Sequence, residues 1–304
     1  MVGTLNGSVM SSKLQMFRAK YGSPAQWLKH SLSRHKPPPL YYWRPRKGNA
    51  AQIQSNFGDE LSVLIVSSLA RTAINRSPEN WGRKMLAVGS IIHLARKGDV
   101  VWGSGLNGKI TGENGEIFTP KNLEGIDFLA VRGPLTQAEL VKKGASCPSI
   151  FGDPALLLPQ IIPAEPKIIP GKISIIPHYN DLQRFSASEL KSHGIELIRP
   201  DSDVHTIVEA ITSSEFVISS SLHGLILSDA YGIPNRRLQL GSGESNFKFE
   251  DYYKGTNREL PESGTDIHKS LKLGPVSPLD WNSQPLMDVF PFRLWSQSKN
   301  PSSH

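Results

Sequence analysis

The run Ser219-Ser220-Ser221-Leu222-His223-Gly224 combines three hydroxyls with an imidazole directly after an apolar segment. If that segment is a strand and a helix follows it, the hydroxyls and the free N–H groups of the helix start converge, as a phosphate site requires. His223 then lies in the first turn of the helix, where it can transfer protons near neutral pH. The run predicts an anion site with its own acid–base group. The alternative is a structural histidine.

Two motifs place further polar groups where predicted strands and helices meet. In Asn56-Phe57-Gly58-Asp59-Glu60, Gly58 permits a tight turn, and Asp59 either caps the next helix or faces a ligand. In Val131-Arg132-Gly133-Pro134, Arg132 is placed to bind a carboxylate or phosphate in a forked geometry, with an ion pair as the alternative.

Three more candidates also follow predicted strands or add charge. In Gly152-Asp153-Pro154, Asp153 either caps a helix or serves as an acid–base group. His178 follows the apolar segment 173–176, in a position equivalent to that of His223. Lys248 and Arg236 are expected to add positive charge to the same cleft.

The segment Gly103-Ser104-Gly105-Leu106-Asn107-Gly108 has the spacing of a dinucleotide-binding motif. That motif requires a helix to open at its third glycine, but here the chain continues through Gly112 and Gly115. We therefore predict a mobile, glycine-rich loop that lines the cleft through Gly103, Ser104 and Gly105.

Short apolar runs alternate with amphipathic stretches along the chain, which predicts parallel sheets covered by helices. Predicted strands are 40–43, 84–88, 99–102, 127–131, 149–152, 173–176, 195–198, 216–219 and 237–240. Predicted helices are 59–72, 90–97, 134–143, 188–193, 203–212 and 222–231. The proline-rich stretch 159–170 is the predicted linker. The fold class is therefore α/β, with two Rossmann-like domains that face a cleft, at 40–160 and 161–304.

Charge is concentrated in an N-terminal arm, residues 1–39. Of the 34 basic residues, nine lie within residues 1–50 and no acidic residue does, although the whole chain has a net charge of only +7. Such an arm suits an anionic membrane surface better than nucleic acid because Trp27, Leu28 and Leu32 make it weakly amphipathic. A solubilising extension is the alternative.

Several classes of protein are excluded by what the sequence lacks. Its single cysteine, Cys147, cannot form an internal disulfide, and no Cys/His set has the spacing of a metal site. A serine-hydrolase G-x-S-x-G motif is absent, as is an apolar run near the roughly 20 residues that span a bilayer. We expect a cytoplasmic protein, membrane-associated through its arm, that needs no metal or cofactor.

Taken in order over about residues 40–255, the five motifs at 56–60, 103–105, 131–134, 152–154 and 220–224 resemble those of the polysaccharide pyruvyl transferase family. The resemblance implies a GT-B-like fold with the active site between two domains. It also implies transfer of a pyruvyl group from phosphoenolpyruvate to two hydroxyls of a sugar, with a cyclic ketal and phosphate as products.

The resemblance also assigns roles to residues. His223 would be the main catalytic residue, and Arg132 would bind the anionic groups of the donor. Some members carry an arginine two residues before the histidine, where this sequence has Ser221. We expect His223 as the acid and Asp153 or Asp59 as the base. The expected substrate-binding residues are Arg132, Ser219, Ser220, Ser221, Gly224, Asn56, Gly58, Gly103, Ser104, Gly105, His178 and Lys248.

The acceptor would be a sugar or oligosaccharide, including a lipid-linked precursor at a membrane surface. Two other functions compete with this one. A GT-B glycosyltransferase would use a nucleotide sugar and would need a carboxylate near the ribose, for which Glu244 is the candidate. A non-catalytic sugar-binding protein would use His223 only structurally.

Overall fold

The structure is a computed structural model that describes residues 39–42, 56–74, 76–77, 83–111, 116–241 and 245–295. Residues 1–38 of the basic arm and Glu244 lie outside the described residues. The first sheet has four parallel strands in the order β1-β2-β3-β6. These are β1 (Leu40–Tyr41), β2 (Met85–Leu86), β3 (Val100–Trp102) and β6 (Asp127–Ala130). Strands β4 (Ile110–Thr111) and β5 (Glu116–Ile117) form an antiparallel hairpin between β3 and β6 in the chain.

The second sheet is also four-stranded and parallel, in the order β10-β9-β7-β8. Its strands are β7 (Ile173–Ile176), β8 (Ile195–Leu197), β9 (Phe216–Ser219) and β10 (Asn235–Arg237). Ligand sites of such sheets lie at the carboxyl ends of the strands. The run at 219–224 begins at one of these ends.

Helices follow most of the strands. They are α1 (Phe57–Ala70), α2 (Pro134–Lys142), α3 (Ala187–Ser192), α4 (Val204–Thr212), α5 (Leu222–Ala230), α6 (Asn246–Gly255), α7 (Ile267–Leu273) and α8 (Gln284–Asp288). Short 3-10 helices cover Ile92–Leu94, Pro154–Gln160, Tyr179–Arg184 and Phe292–Leu294. No described helix has both the length and the apolar character that a membrane crossing demands.

The predicted alternation of strands and helices is confirmed, but three local predictions are wrong. Segment 90–97 contains only the 3-10 turn Ile92–Leu94 before Gly98 turns the chain at a φ of 88°. Segment 149–152 is not a buried strand, since Pro148 and Pro154 flank it and one isolated bridge, Val131 to Phe151, is formed.

The third correction concerns β10, and the linker differs from its prediction only at its start. Strand β10 begins at Asn235 rather than Arg237, because its buried arginines hide the apolar pattern that marks a strand. The predicted linker 159–170 begins inside the 3-10 helix Pro154–Gln160, whose leucines are buried.

One hydrophobic core joins the chain on either side of this segment. The 3-10 helix Pro154–Gln160 packs against both α1 and α5, and its Leu157 and Leu158 are fully buried in the same cluster as Leu61 and Leu225. Helix α6 lies late in the chain but packs on α2. These contacts bring the N-terminus of α1, the start of α5 and the face of α6 together.

Candidate active site

His223 lies where the second sheet meets the N-terminus of α1. It is the second residue of α5, directly after β9. Its ring packs so closely on Gly58 that a Cβ added there would lie 2.2 Å from Nδ1. The Phe57 ring meets it edge-on, with centroids 6.4 Å apart. The motifs at 56–60 and 219–224 are therefore brought into contact.

The environment of His223 keeps its imidazole neutral. The ring is half-buried, and Nε2 is shut off from solvent with no hydrogen-bond partner among the described residues. Burial, with the positive charges of Lys248 and Arg132, lowers the pKa of His223 to about 3. In the unliganded site the imidazole is thus neutral and can accept a proton, and the role of His223 as the acid stays a prediction.

His178 lies at the end of β7 and is tied to the serine run. Its backbone N–H donates to Ser220 Oγ at 2.8 Å, and Ser220 Oγ donates to Asp181 Oδ2 at 2.8 Å. Its Nδ1 caps the 3-10 helix Tyr179–Arg184 by accepting the Asn180 N–H at 3.2 Å. Burial and then Lys248 lower the pKa of His178 to about 4, against the opposing effect of Asp181.

The predicted cradle of three hydroxyls is reduced to one. Ser219 Oγ lies 2.7 Å from the Ile176 carbonyl and accepts the Ser221 N–H at 3.0 Å, so it holds the turn. Ser220 Oγ is committed to the backbone of His178 and to Asp181. Ser221, the N-cap of α5, makes no side-chain cap hydrogen bond. Gly224 lets the helix approach, since a Cβ there would stand 2.3 Å from Ser219 Oγ.

Lys248 brings a buried cation from α6 to the two histidines. Its side chain is part of a residue only 8% exposed. Burial, together with Arg132 and Arg237, lowers the pKa of Lys248 to about 7, while Asp181 opposes the shift. We call Lys248, Arg132 and Arg237, which lie near the neutral His178 and His223, the cationic cluster. Its basic groups outnumber the nearby carboxylates.

Arg132 is fully buried and bonded to protein groups on three sides. Its Nε donates to Asp251 Oδ2 at 3.1 Å, Nη1 to Ser90 Oγ at 2.6 Å and Nη2 to the Leu106 carbonyl at 2.7 Å. The interpretation as an ion pair is confirmed, although the pair is buried rather than on the surface. Arg132 acts on the site through its charge, and a forked grip on a ligand would require breaking this pair.

The glycine-rich segment supports Arg132 instead of forming a mobile loop. Residues 103–106 are buried, and a Cβ at Gly105 would lie 2.3 Å from Arg132 Cζ. Gly103 has a φ of 81° and touches Pro154, while Ser104 Oγ donates to the Gly89 carbonyl at 2.7 Å. The absence of a helix at Gly108 was predicted correctly.

The two carboxylates proposed as bases differ in their surroundings. Asp153 Oδ1 accepts the Ala155 N–H at 3.0 Å and so caps the 3-10 helix Pro154–Gln160. Its Oδ2 is buried with no hydrogen-bond partner among the described residues, and burial raises the pKa of Asp153 to about 6. Asp59 does not cap α1. The N-cap is Asn56, whose Oδ1 accepts the Gly58 N–H at 3.3 Å. The Nδ2 of Asn56 donates to Asp59 Oδ2 at 3.0 Å.

Sequence reasoning missed three residues of the site and misplaced one. Asp251, Asp181 and Arg237 were not singled out, although Lys248 and Asp251 stand three apart on one helix and so share a face. The guanidinium of Arg236 is committed to the protein backbone. It donates to four backbone carbonyls, of Gly274, Glu262, Leu273 and Pro275. No described residues form a group of His, Cys, Asp and Glu that could hold a metal ion.

Fold and site together define an α/β protein with a buried cationic site at the carboxyl ends of parallel strands. The chain belongs to the polysaccharide pyruvyl transferase family, whose family model matches residues 17–238. It is similar to the succinoglycan biosynthesis protein ExoV of Rhizobium meliloti, with 26% identity over 217 residues. That match covers 70% of this chain and 63% of the relative, so the chain spans less than two thirds of ExoV.

Two further proteins are similar to this chain. An uncharacterized protein of Acanthamoeba polyphaga mimivirus is 28% identical over 209 residues, which is 65% of this chain and 69% of the relative. The crystal structure of an uncharacterized protein from Klebsiella pneumoniae aligns with a TM-score of 0.41 and 14% identity, covering 74% of this chain and 90% of that chain.

Proposed function

We propose that this protein transfers a pyruvyl group from phosphoenolpyruvate to two hydroxyls of one sugar in a polysaccharide or its lipid-linked precursor. The products are a cyclic ketal and phosphate. Membership of the family supports pyruvyl transfer in polysaccharide biosynthesis. The donor, the acceptor and the roles of the residues are our proposals.

The observation that carries the proposal is the cationic cluster. A donor with one carboxylate and one phosphate is a multiply charged anion, which cations in a low-dielectric site bind strongly. Lys248 is buried at the centre of this field, and Asp181 is the carboxylate that opposes it. Lys248 would supply the charge that an arginine at position 221 brings in other family members.

Proton balance explains why a neutral His223 suits the reaction. Each sugar oxygen bonds to C2 of the donor, the bond from C2 to the phosphate oxygen breaks, and the methylene carbon becomes a methyl group. One hydroxyl proton ends on that carbon and the other on phosphate. His223 accepts the proton of the first hydroxyl and passes it to the methylene carbon, so it works first as base and then as acid.

Binding of the donor favours the step in which the protonated His223 acts as an acid. Its negative charges offset those of Lys248 and Arg132, which help to lower the pKa of His223. The bound donor therefore raises that pKa and stabilises the imidazolium form. Asp59, next to the glycine on which His223 packs, and Asp153, in the field of Arg132, are the proposed partners for the second hydroxyl.

We place the reaction in the cytoplasm, with the basic arm at an anionic membrane that carries lipid-linked acceptors. Deletion of residues 1–36 should weaken binding to vesicles that contain phosphatidylglycerol. Turnover on a soluble oligosaccharide should be unchanged. Vesicle binding that survives the deletion would contradict this role of the arm.

Calorimetric titration with phosphoenolpyruvate and with UDP, followed by mass analysis of an oligosaccharide incubated with the donor, tests the function. We expect saturable binding of phosphoenolpyruvate, release of phosphate and a pyruvyl ketal on the oligosaccharide. His223→Ala should abolish release, whereas His268→Ala on the exposed part of α7 should not. Binding of UDP alone would favour a glycosyltransferase, and binding of the oligosaccharide alone a sugar-binding protein.

A further inference from the structure

A concave surface beside the β4–β5 hairpin is not used by the proposed reaction. Two adjoining cavities, of about 400 and about 350 Å³, share the walls formed by residues 118–122. The buried Thr119 and Pro120 form their common floor. We call this surface the hairpin groove, lined chiefly by His93, Arg96, Lys97, Phe118, Lys121 and Lys143.

The groove contains an aromatic platform. Phe118 is 38% exposed, so part of its apolar side chain is open to a ligand. The His93 ring lies beside it, with centroids 5.4 Å apart and planes inclined by 44°. Two rings in a concave site offer an apolar surface on which the C–H face of a sugar ring can pack, and the nearby Asn122 and Thr119 carry polar groups for hydroxyls.

The charge of the groove is positive. Arg96, Lys97, Lys121 and Lys143 are among its lining residues, and no carboxylate is among those that line the two cavities. At the rim, Lys97 pairs with Glu124 at 2.9 Å and Lys143 with Glu116 at 3.4 Å. Lys121 forms no ion pair within the described part of the chain. The net positive charge favours an anionic ligand.

The groove is connected to the active site. The Phe118 N–H donates to the Lys109 carbonyl at 2.8 Å, and Lys109 is close enough to contribute to the lowered pKa of Lys248. On the other side, the N–H of Ile92, the residue before His93, donates to the carbonyl of Gly105, which packs on Arg132.

We propose that the hairpin groove binds an anionic part of the saccharide acceptor, a sugar unit that carries carboxylate groups, next to the unit being modified. This inference rests on the proposed function. Phe118 and His93 would pack on a sugar ring, and Lys121 would face its carboxylate. The concave shape favours a chain over a bilayer, which would require a flat or convex surface with exposed apolar groups.

Calorimetry on the full chain without donor tests this proposal, with tetragalacturonate as the anionic saccharide and cellotetraose as its neutral counterpart. We expect tetragalacturonate to bind more tightly than cellotetraose, and the difference to shrink at high salt. Phe118→Ala and Lys121→Ala should each weaken binding of tetragalacturonate by about fivefold to tenfold. Leu271→Ala, at a side chain that is also 38% exposed, and Lys191→Ala, at an exposed lysine, are the matched controls.

Three results would overturn the proposal. The first is equal binding of the two tetrasaccharides. The second is binding of tetragalacturonate that neither groove variant changes. The third is a groove variant that binds phosphatidylglycerol vesicles more weakly but tetragalacturonate as before. The last result would make the groove a membrane contact. Titration of the same variants with phosphoenolpyruvate keeps the two proposals separate. If the protein binds phosphoenolpyruvate but the groove variants do not change saccharide binding, the role of the hairpin groove is rejected and the proposed function is not.

Discussion

The imidazole of His223 packs directly on Gly58, with Nδ1 at only 2.2 Å from the position that a Cβ on Gly58 would occupy. The two residues come from different ends of the fold, one from the start of α5 and one from the first turn of α1. A glycine is required at this point by the close approach of the ring rather than by its backbone angles. Gly58 thus sets the position of the proposed proton carrier.

Gly58→Ala should therefore impair catalysis more than folding. The new methyl group must displace the His223 ring, and a shift of about 1 Å at a catalytic group can cost about a hundredfold in rate. We expect kcat for phosphate release to fall by about that factor, with the free energy of unfolding changed by about 1–3 kcal/mol. Ser68→Ala, at an exposed position of the same helix, should leave kcat unchanged. Full activity of Gly58→Ala would mean that the ring position does not matter.

The buried pair of Arg132 and Asp251 should be essential for stability. Asp251 Oδ2 accepts from Arg132 Nε at 3.1 Å and from Thr136 Oγ1 at 2.7 Å, and both charged side chains are fully buried. Asp251→Ala leaves the guanidinium without its counter-charge, so we expect a loss of about 3–5 kcal/mol in the free energy of unfolding. Urea denaturation measures this loss.

A matched control lies on the same helix. Lys254 pairs with Glu250 one turn away, at 2.9 Å and near the surface. Such exposed pairs contribute about 0.5 kcal/mol or less, so Lys254→Ala should change the unfolding free energy little. A comparable loss of unfolding free energy in both variants would show that burial does not make the Arg132–Asp251 pair more stabilising than an exposed pair.

Local sequence patterns were sufficient to predict much of the fold and the location of the site. Apolar runs such as 173–176 and 216–219 coincide with strands because a parallel strand is buried on both faces. His223 could be singled out because the end of a strand and the start of a helix are adjacent in sequence. The family resemblance used the same local motifs, and the family match confirms it.

Pairings between distant residues could not be predicted in this way. Arg132 and Asp251 are 119 positions apart, and nothing in the local pattern around either residue indicates its partner. The hydroxyls of Ser219 and Ser220 were expected to face a ligand. Instead, Ser219 Oγ donates to the Ile176 carbonyl of β7, and Ser220 Oγ accepts the His178 N–H just after that strand. Strand β10 was misplaced because Arg236 and Arg237 are buried through contacts with carbonyls and an aromatic ring that only the tertiary structure provides.

Donor binding should weaken as the pH rises above about 7. The pKa of Lys248 is lowered to about 7, by burial first and then by Arg132 and Arg237, so Lys248 loses its positive charge above that pH. Between about pH 7 and about pH 9 the donor phosphate stays ionised, and His223 stays neutral because its pKa is about 3. We expect KM for phosphoenolpyruvate to rise by up to about tenfold per pH unit in this range.

Variants of Lys248 identify the group responsible. Lys248→Met should raise KM at pH 7 and remove its pH dependence. Lys248→Arg keeps the charge at all these pH values, so it should remove the pH dependence while it retains tighter donor binding than the methionine variant. A pH profile that survives in Lys248→Met would assign the titration to another group.

The three serines before His223 should separate into structural and ligand-binding positions. Ser219 Oγ is buried and bonds to the Ile176 carbonyl at 2.7 Å and the Ser221 N–H at 3.0 Å, so Ser219→Ala should lower the free energy of unfolding by about 1–3 kcal/mol. Ser221 Oγ caps no backbone group, so Ser221→Ala should leave stability within about 0.5 kcal/mol and instead raise KM for the donor. Urea denaturation and initial-rate kinetics on the two variants measure both effects. If Ser219→Ala alone raised KM with unchanged stability, the buried hydroxyl would have to turn toward the donor, contrary to the arrangement described.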